Sequence, residues 1–321
     1  MARNRDKSKD PDHAMKDQRG VALIIVLWIL SLMTIMAGSY SLSTKRESEN
    51  LRHAHERIKQ KALAASALNY AMMMLSLPNE KKRWPSDGQP RVWQLGDASA
   101  EITVVDEGSK IDLNAAQDKT LQTILELVLQ DRNLAMTLTD TILDWKDPDD
   151  IKRPHGAESA DYRALDLKNV PQNRNFLILD ELKSVKGVTR EVLQQLSPWF
   201  TIYTGQDGIN PLKASFRQLM MLSRGNKPLV EEYLSKRTMT PPPNFPPVMG
   251  LNFTSVSDLA YTIITRTEII DQDIALETST TVNRTSSSDG IPFSVLAWKE
   301  HFYPRKNSLP PMNPLRVQPL N

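Results

Sequence analysis

Cysteine is absent from this chain, which excludes disulfides, thiolate catalysis and Cys-based zinc sites but does not distinguish cytosol from periplasm. Histidine is scarce. Of the five that occur, His13 is in the N-terminal leader, His53 and His55 share one charged stretch, and His155 and His301 lie in separate regions. No Gly-x-Ser-x-Gly, His-Glu-x-x-His or phosphate-loop pattern accompanies them, so an enzyme is not expected. An excess of charge of one sign is also missing. The 40 Lys and Arg face 38 Asp and Glu, a net of +2, which gives no global field of the kind that gathers nucleic acid. At 321 residues the chain has room for two lobes and at least one ordinary core.

One feature is present in abundance. Residues 1–20 are polar, with Arg3, Arg5, Lys7, Lys9, Lys16 and Arg19 set against Asp6, Asp10, Asp12 and Asp17, and then charge stops. From Gly20 to Thr44 no side chain is ionised, and Val21–Ala37 reads VALIIVLWILSLMTIMA. About 20 such residues in a helix span the ~30 Å hydrocarbon core of a bilayer. The run is longer than the apolar part of a secretory signal, and no small-residue cleavage site leads out of it into a loop. Basic residues ahead of the span imply a cytoplasmic N-terminus, a single inner-membrane pass and a periplasmic remainder. Helical text continues past the span. Leu51, Ala54, Ile58, Ala62, Ala65, Leu68, Met72 and Leu75 recur at steps of three and four among charged residues, and Leu77-Pro78-Asn79 ends the pattern. One helix from about Val21 to Ser76 is expected, half membrane span and half amphipathic stalk.

A short basic leader ending in Gly, followed at once by an apolar helix that becomes amphipathic, resembles the type IV pilin and pseudopilin superfamily. The resemblance implies that prepilin peptidase cuts between Gly20 and Val21 and that Val21 becomes the methylated N-terminus. Most members carry Glu as the fifth mature residue, and this chain has Ile25. In the family that carboxylate is thought to neutralise the N-terminal amine of the subunit nearer the tip, inside the membrane, where an unpaired charge is costly. A subunit with nothing above it has no such amine to meet. Ile25 therefore points to a tip-type subunit, the alternative being an ordinary lipid-facing residue.

Further along, DEGSKIDLNAA (106–116), ILDWKDPDD (142–150), GAESADY (156–162), QNRNF (172–176) and DELKSVKGVT (180–189) occur in an order and spacing similar to the K-type minor pseudopilins of type II secretion. That family implies an α+β, pilin-like fold: a long N-terminal transmembrane and amphipathic helix, a small antiparallel sheet and a large inserted all-α domain. The expected organisation is leader 1–20, stalk helix 21–77, first part of the head 78–112, helical insertion 113–200, remainder of the head 201–302 and a Pro-rich tail 303–321. Strands are expected at Val92–Leu95 and Ala100–Asp106, then at Leu259–Ile270, Ile274–Val282 and Pro292–His301, the last two separated by a turn at Ser286–Gly290. Apolar stripes Leu121, Ile124, Leu125, Val128 and Leu134, Leu138, Ile142, Trp145 predict helices in the insertion. The usual Asn-x-Asn-Thr-Ala-like text is replaced here by Asn210-Pro211-Leu212-Lys213-Ala214, and PPPNFPP (241–247) reads as irregular.

Two constellations carry possible chemistry. Asp144, Asp147, Asp149 and Asp150, with Glu158 and Asp161 soon after, crowd a helix C-terminus, where carboxylates oppose the dipole and need a cation. Lys146, Lys152 and Arg153 could serve in a solvated ion-pair cluster. The alternative is calcium, which takes several oxygen ligands at irregular spacing and is known in some members of the family; Asp144, Asp147, Asp149, Asp150 and Asp161 would then be its ligands. The second is Val185-Lys186-Gly187-Val188, which resembles the turn of a helix-hairpin-helix. It would suit an extracytoplasmic DNA-uptake module, but Glu181 and Glu191 beside Lys183, Lys186 and Arg190 make the patch near neutral, and a compact helix corner is the plainer reading. The function implied is to initiate or cap the pseudopilus with the I- and J-type minor pseudopilins, without nucleic acid; a minor pilin of a type IV pilus is the other alternative.

Overall fold

The structure is a computed structural model and describes residues 16–79, 81–285, 292–305 and 315–317. Most of the leader and the 286–290 turn lie outside those residues. The chain divides into two compact units, Met1–Lys59 and Gln60–Asn321. In the first, helix α1 (Lys16–Ser76) exposes the whole apolar run, and its most apolar 18-residue window has a mean hydropathy of 2.6. Hydroxyls within the run are not left unpaired: Ser31 Oγ donates to the Leu27 carbonyl and Thr34 Oγ1 to that of Leu30, each at 2.8 Å. Such back-bonding removes the cost of a bare hydroxyl in hydrocarbon.

In the second unit, the last turns of α1 pack on a six-stranded sheet. Strands β1 (Asp87–Leu95), β2 (Ala98–Asp106), β5 (Ala260–Ile269), β6 (Ile274–Arg284) and β7 (Phe293–Pro304) form an antiparallel series in the order β7-β6-β5-β2-β1. The helix face that meets the sheet is Gln60, Leu63, Ala64, Ala67, Leu68, Ala71, Met74 and Leu75, all buried. Small alanines at successive turns, Ala64, Ala67 and Ala71, let the backbones approach, and Leu68, Met74 and Leu75 fill the space against Ile102, Val104, Ile263 and Val282. This corrects the expected stripe, of which Leu68 and Leu75 are buried against the sheet and Met72 partly so, while Leu51 and Ile58 are exposed. The sheet selects whichever face brings alanines to the closest approach, and alanine is too weakly apolar to mark that phase in sequence. Gln60 fixes the register. Its Nε2 donates to Gln272 Oε1 and to the Ile274 carbonyl, both at 2.9 Å, and its Oε1 accepts from Thr267 Oγ1 at 2.6 Å.

Adjacent strands β2 and β5 pair from Ala98 with Ile269 to Asp106 with Tyr261, yet residues 107–259 intervene. The helical lobe is thus inserted into the connection of a single β-hairpin. It leaves the sheet at the end where α1 terminates: Asp106 N–H donates to the Ser86 carbonyl and Trp84 N–H to that of Met74, whereas Gln60 contacts the opposite end. The lobe holds α2 (Asp118–Leu129), α3 (Arg132–Lys146), α4 (Ser159–Ala164), a 3-10 turn at Leu179–Ser184, α5 (Arg190–Leu196), α6 (Phe216–Leu222), α7 (Lys227–Lys236) and a two-strand ribbon of β3 (Ile111–Asp112) and β4 (Phe200–Thr201). The expected stripes of α2 and α3 are its core, Leu134 being only partly buried.

The same core continues beyond the expected boundary at 200, through Leu219, Leu222, Val230 and Tyr233 to Phe245 and Leu251. Phe245, inside the Pro-rich stretch, packs edge-on against Tyr233 with ring centres 5.0 Å apart. The tail also departs from expectation. Leu315–Val317 forms β8, parallel to β1 at Arg91–Trp93, because β1 otherwise offers an open edge.

Candidate functional site

The five motifs of the insertion converge on Trp145. Its ring lies 5.8 Å from that of Tyr162 and 6.4 Å from that of Phe176. Asn114 grips the Phe176 backbone in both directions, Nδ2 donating to its carbonyl at 3.0 Å and Oδ1 accepting from its N–H at 2.8 Å. Lys146 Nζ donates to the carbonyls of Leu113, Asn114 and Ala116 at 2.7, 3.1 and 3.0 Å, and burial lowers its pKa. The Tyr162 hydroxyl accepts from Lys186 N–H at 2.8 Å.

Beside this framework, α3 ends in the acidic segment. Asp144 is fully buried. Arg153 is its nearest cation, with Nε 3.6 Å from Oδ1, an ion-pair distance too long for a hydrogen bond; its guanidinium instead donates to Asp118 at 2.7 Å. Burial pushes the Asp144 carboxyl up, as does the charge of Asp147, with the Arg153 backbone N–H opposing. Burial and Asp149 likewise raise Asp147. Glu158, at the start of α4, is buried and pushed up to about 7, by burial first and then by the negative field of Asp144, Asp147, Asp150 and Asp149. Gly156 sits so close that a Cβ there would collide with the Asp144 carboxylate.

The remaining predicted ligands have other partners. Asp149 Oδ1 accepts from Ile151 N–H at 2.8 Å, and Asp150 Oδ1 from Asn173 Nδ2 at 3.2 Å. Asp161 pairs with Lys152 at 2.7 Å and accepts from Glu158 N–H at 3.0 Å; the ammonium holds its carboxyl below the usual range. Four buried oxygens of the cluster have no hydrogen-bond partner: Asp147 Oδ1, both Glu158 oxygens and Asn173 Oδ1. Among the described residues no three acidic or histidine side chains converge closely enough to enclose an ion. The donor set, all hard oxygens and short of positive charge, nevertheless suits calcium. Glu158 stood outside the predicted ligand set, and Asn173 lay unremarked inside QNRNF; an amide gives no charge signal in sequence.

At the other end of the chain, Gly20 and Val21 lie in the first turns of α1, and Val21 and Ile25 are exposed.

A long N-terminal helix whose apolar half is bare and whose last turns lie on an antiparallel sheet defines a pilin-like subunit, here with a helical domain inserted between neighbouring strands. Residues 101–205 match the family model described as type II secretion system protein K. The chain is 28% identical over 206 residues to a putative type II secretion system protein K of Escherichia coli K12, and 25% identical over 247 residues to type II secretion system protein K of Pectobacterium carotovorum. These alignments take in 58% and 70% of this chain and 63% and 73% of those relatives' own lengths. The fold matches a chain in the solved GspK–GspI–GspJ complex of the enterotoxigenic E. coli type 2 secretion system, with TM-score 0.60 and 18% identity over 78% of this chain and 99% of that one. Over these stretches the chain is similar to protein K of type II secretion, in its helical insertion and across more than half of its length.

Proposed function

We propose that this chain is the tip subunit of a type II secretion pseudopilus, which it initiates or caps together with I- and J-type minor pseudopilins so that folded periplasmic proteins are exported. The observation that carries the reading is the placement of the insertion. Residues 107–259 leave the sheet where α1 ends, so the lobe occupies the end of the head on which a further subunit would stack. Ile25 supports the same position, since a subunit with no neighbour above needs no carboxylate in the membrane. Prepilin peptidase cuts between Gly20 and Val21 and methylates Val21 in this account, and α1 anchors the protein in the inner membrane with its head in the periplasm.

Calcium belongs to the proposal as a structural ion of the helical lobe: Asp144, Asp147 and Glu158 would have to draw together to hold it, and it would supply the positive charge that the buried carboxylates lack. The test of function is genetic. In a strain lacking the chain, secretion should stop, wild type should restore it, and Gly20→Ala should accumulate unprocessed and fail to restore it. Normal secretion by the deletion strain would contradict the proposal.

A further inference from the structure

The helix-hairpin-helix-like turn, to which the proposed function gives no role, borders a cavity of about 480 Å³. Its apolar lining comes from Leu167, Val185 and Val188, and Lys168, Lys183 and Lys186 stand around it. The walls are built. Asn169 Nδ2 donates to Ser184 Oγ at 2.7 Å across the two strands of chain, the Tyr162 hydroxyl holds the Lys186 backbone, and Gly187 turns at a φ of +90° with Leu138 packed behind it.

The charge around the cavity is only partly compensated, Lys186 sharing the field of Asp161 with Lys152. In sequence the segment reads as neutral, but three nearby carboxylates pair with other cations, Glu181 with Arg174 at 3.3 Å, Asp161 with Lys152 at 2.7 Å, and Asp180 with Lys299, while Glu191 accepts hydrogen bonds from Thr189 and from its own backbone N–H. Among the described residues none of Lys168, Lys183 and Lys186 has a carboxylate partner. Three ammonium groups, each a compact point charge with three donors, match a multi-oxygen phosphate better than a single carboxylate. The apolar lining adds room for a short uncharged body, and the cavity size is that of a small-molecule site. We propose that this cavity binds a phosphate ester bearing a small apolar body, the shared chemistry of an anionic phospholipid headgroup and of a free phosphate ester.

The experiment is calorimetric titration of the full chain in a non-ionic detergent. The probes are dihexanoyl phosphatidylglycerol, glycerol 3-phosphate and inorganic phosphate, with dihexanoyl phosphatidylcholine as the zwitterionic control. Phosphatidylglycerol or glycerol 3-phosphate should bind more tightly than inorganic phosphate, and K168Q/K183Q/K186Q should weaken that binding tenfold or more at an unchanged melting temperature; binding no tighter than that of inorganic phosphate would overturn the proposal. Single K168Q and K183Q variants, exposed and free of packing roles, provide the reading if the triple variant melts early. Binding confined to phosphatidylglycerol identifies a lipid source, and equal binding of glycerol 3-phosphate a soluble one. No binding by any anionic probe, equal binding of phosphatidylcholine, or undiminished binding by the variants would overturn the proposal.

Discussion

Glu158→Gln is expected to invert its effect on stability with calcium. In the metal-free protein the Glu158 carboxyl is pushed up to about 7 from an ordinary 4.5. A raised acid holds its proton in the native state after the unfolded chain has lost it, so stability falls as pH rises from about 4.5 to about 7 and then levels. The shift corresponds to a ceiling of about 3 kcal/mol at 1.36 kcal/mol per pKa unit; relaxation of the site and solvent screening reduce it to ~1–2 kcal/mol. Glutamine keeps the size and removes the charge. In chelator at pH 8 the variant should therefore melt above wild type, by roughly 2–4 °C per kcal/mol in a domain of this size, and at pH 4.5 the two should coincide. Calcium bound only to the native state adds RT ln(1 + [Ca]/Kd), about 2.7 kcal/mol at a hundredfold excess over Kd, and Glu158→Gln forfeits much of that gain. The order of melting should then reverse. Scanning fluorimetry of the detergent-solubilised chain reads both proteins in all three conditions. Equal melting of wild type in calcium and in chelator would refute the ion, and equal melting of the two proteins in chelator at pH 8 would refute the charge argument.

Gln60→Ala removes the side-chain partner of Gln272 and of the Ile274 carbonyl in a buried position and leaves Thr267 only its bond to the Leu276 carbonyl, and should cost ~1–3 kcal/mol by denaturant titration. Lys146→Met removes the donor shared by three carbonyls, with an expected loss of ~1–3 kcal/mol confined to the helical lobe and read by hydrogen exchange of its amides. Ile25→Glu places a carboxylate in the span at ~2.5–3.5 kcal/mol or less. Insertion should survive, while crosslinking to neighbouring subunits and secretion should both change; wild-type behaviour in both would remove Ile25 from the argument for the tip.

Periodicity alone made the two helices of the early insertion legible, because Leu121 to Trp145 combine large apolar residues with a helical repeat. The strands from 260 onward were equally visible from their Thr, Ile and Val content. What escaped has physical reasons. The stalk face is set by alanines whose burial depends on the facing sheet, and Phe245 sits among prolines with no repeat to flag it. Gly156 is dictated by a carboxylate twelve residues away, and β8 is recruited by the open edge of a strand more than 200 residues earlier. In the acidic site, counting carboxylates located the segment. Which of them are short of partners depends on where Lys152, Asn173 and Arg153 reach, and that is a property of the folded lobe.

The most direct measurement of the central claim is co-purification of the detergent-solubilised full chain with the I- and J-type minor pseudopilins of its own secretion system. The account predicts a stable complex retaining one copy of each, with this chain bound at one end and no further copies added to it. Recovery of an I–J pair that leaves this chain behind, or a complex in which copies of it repeat, would contradict a tip subunit.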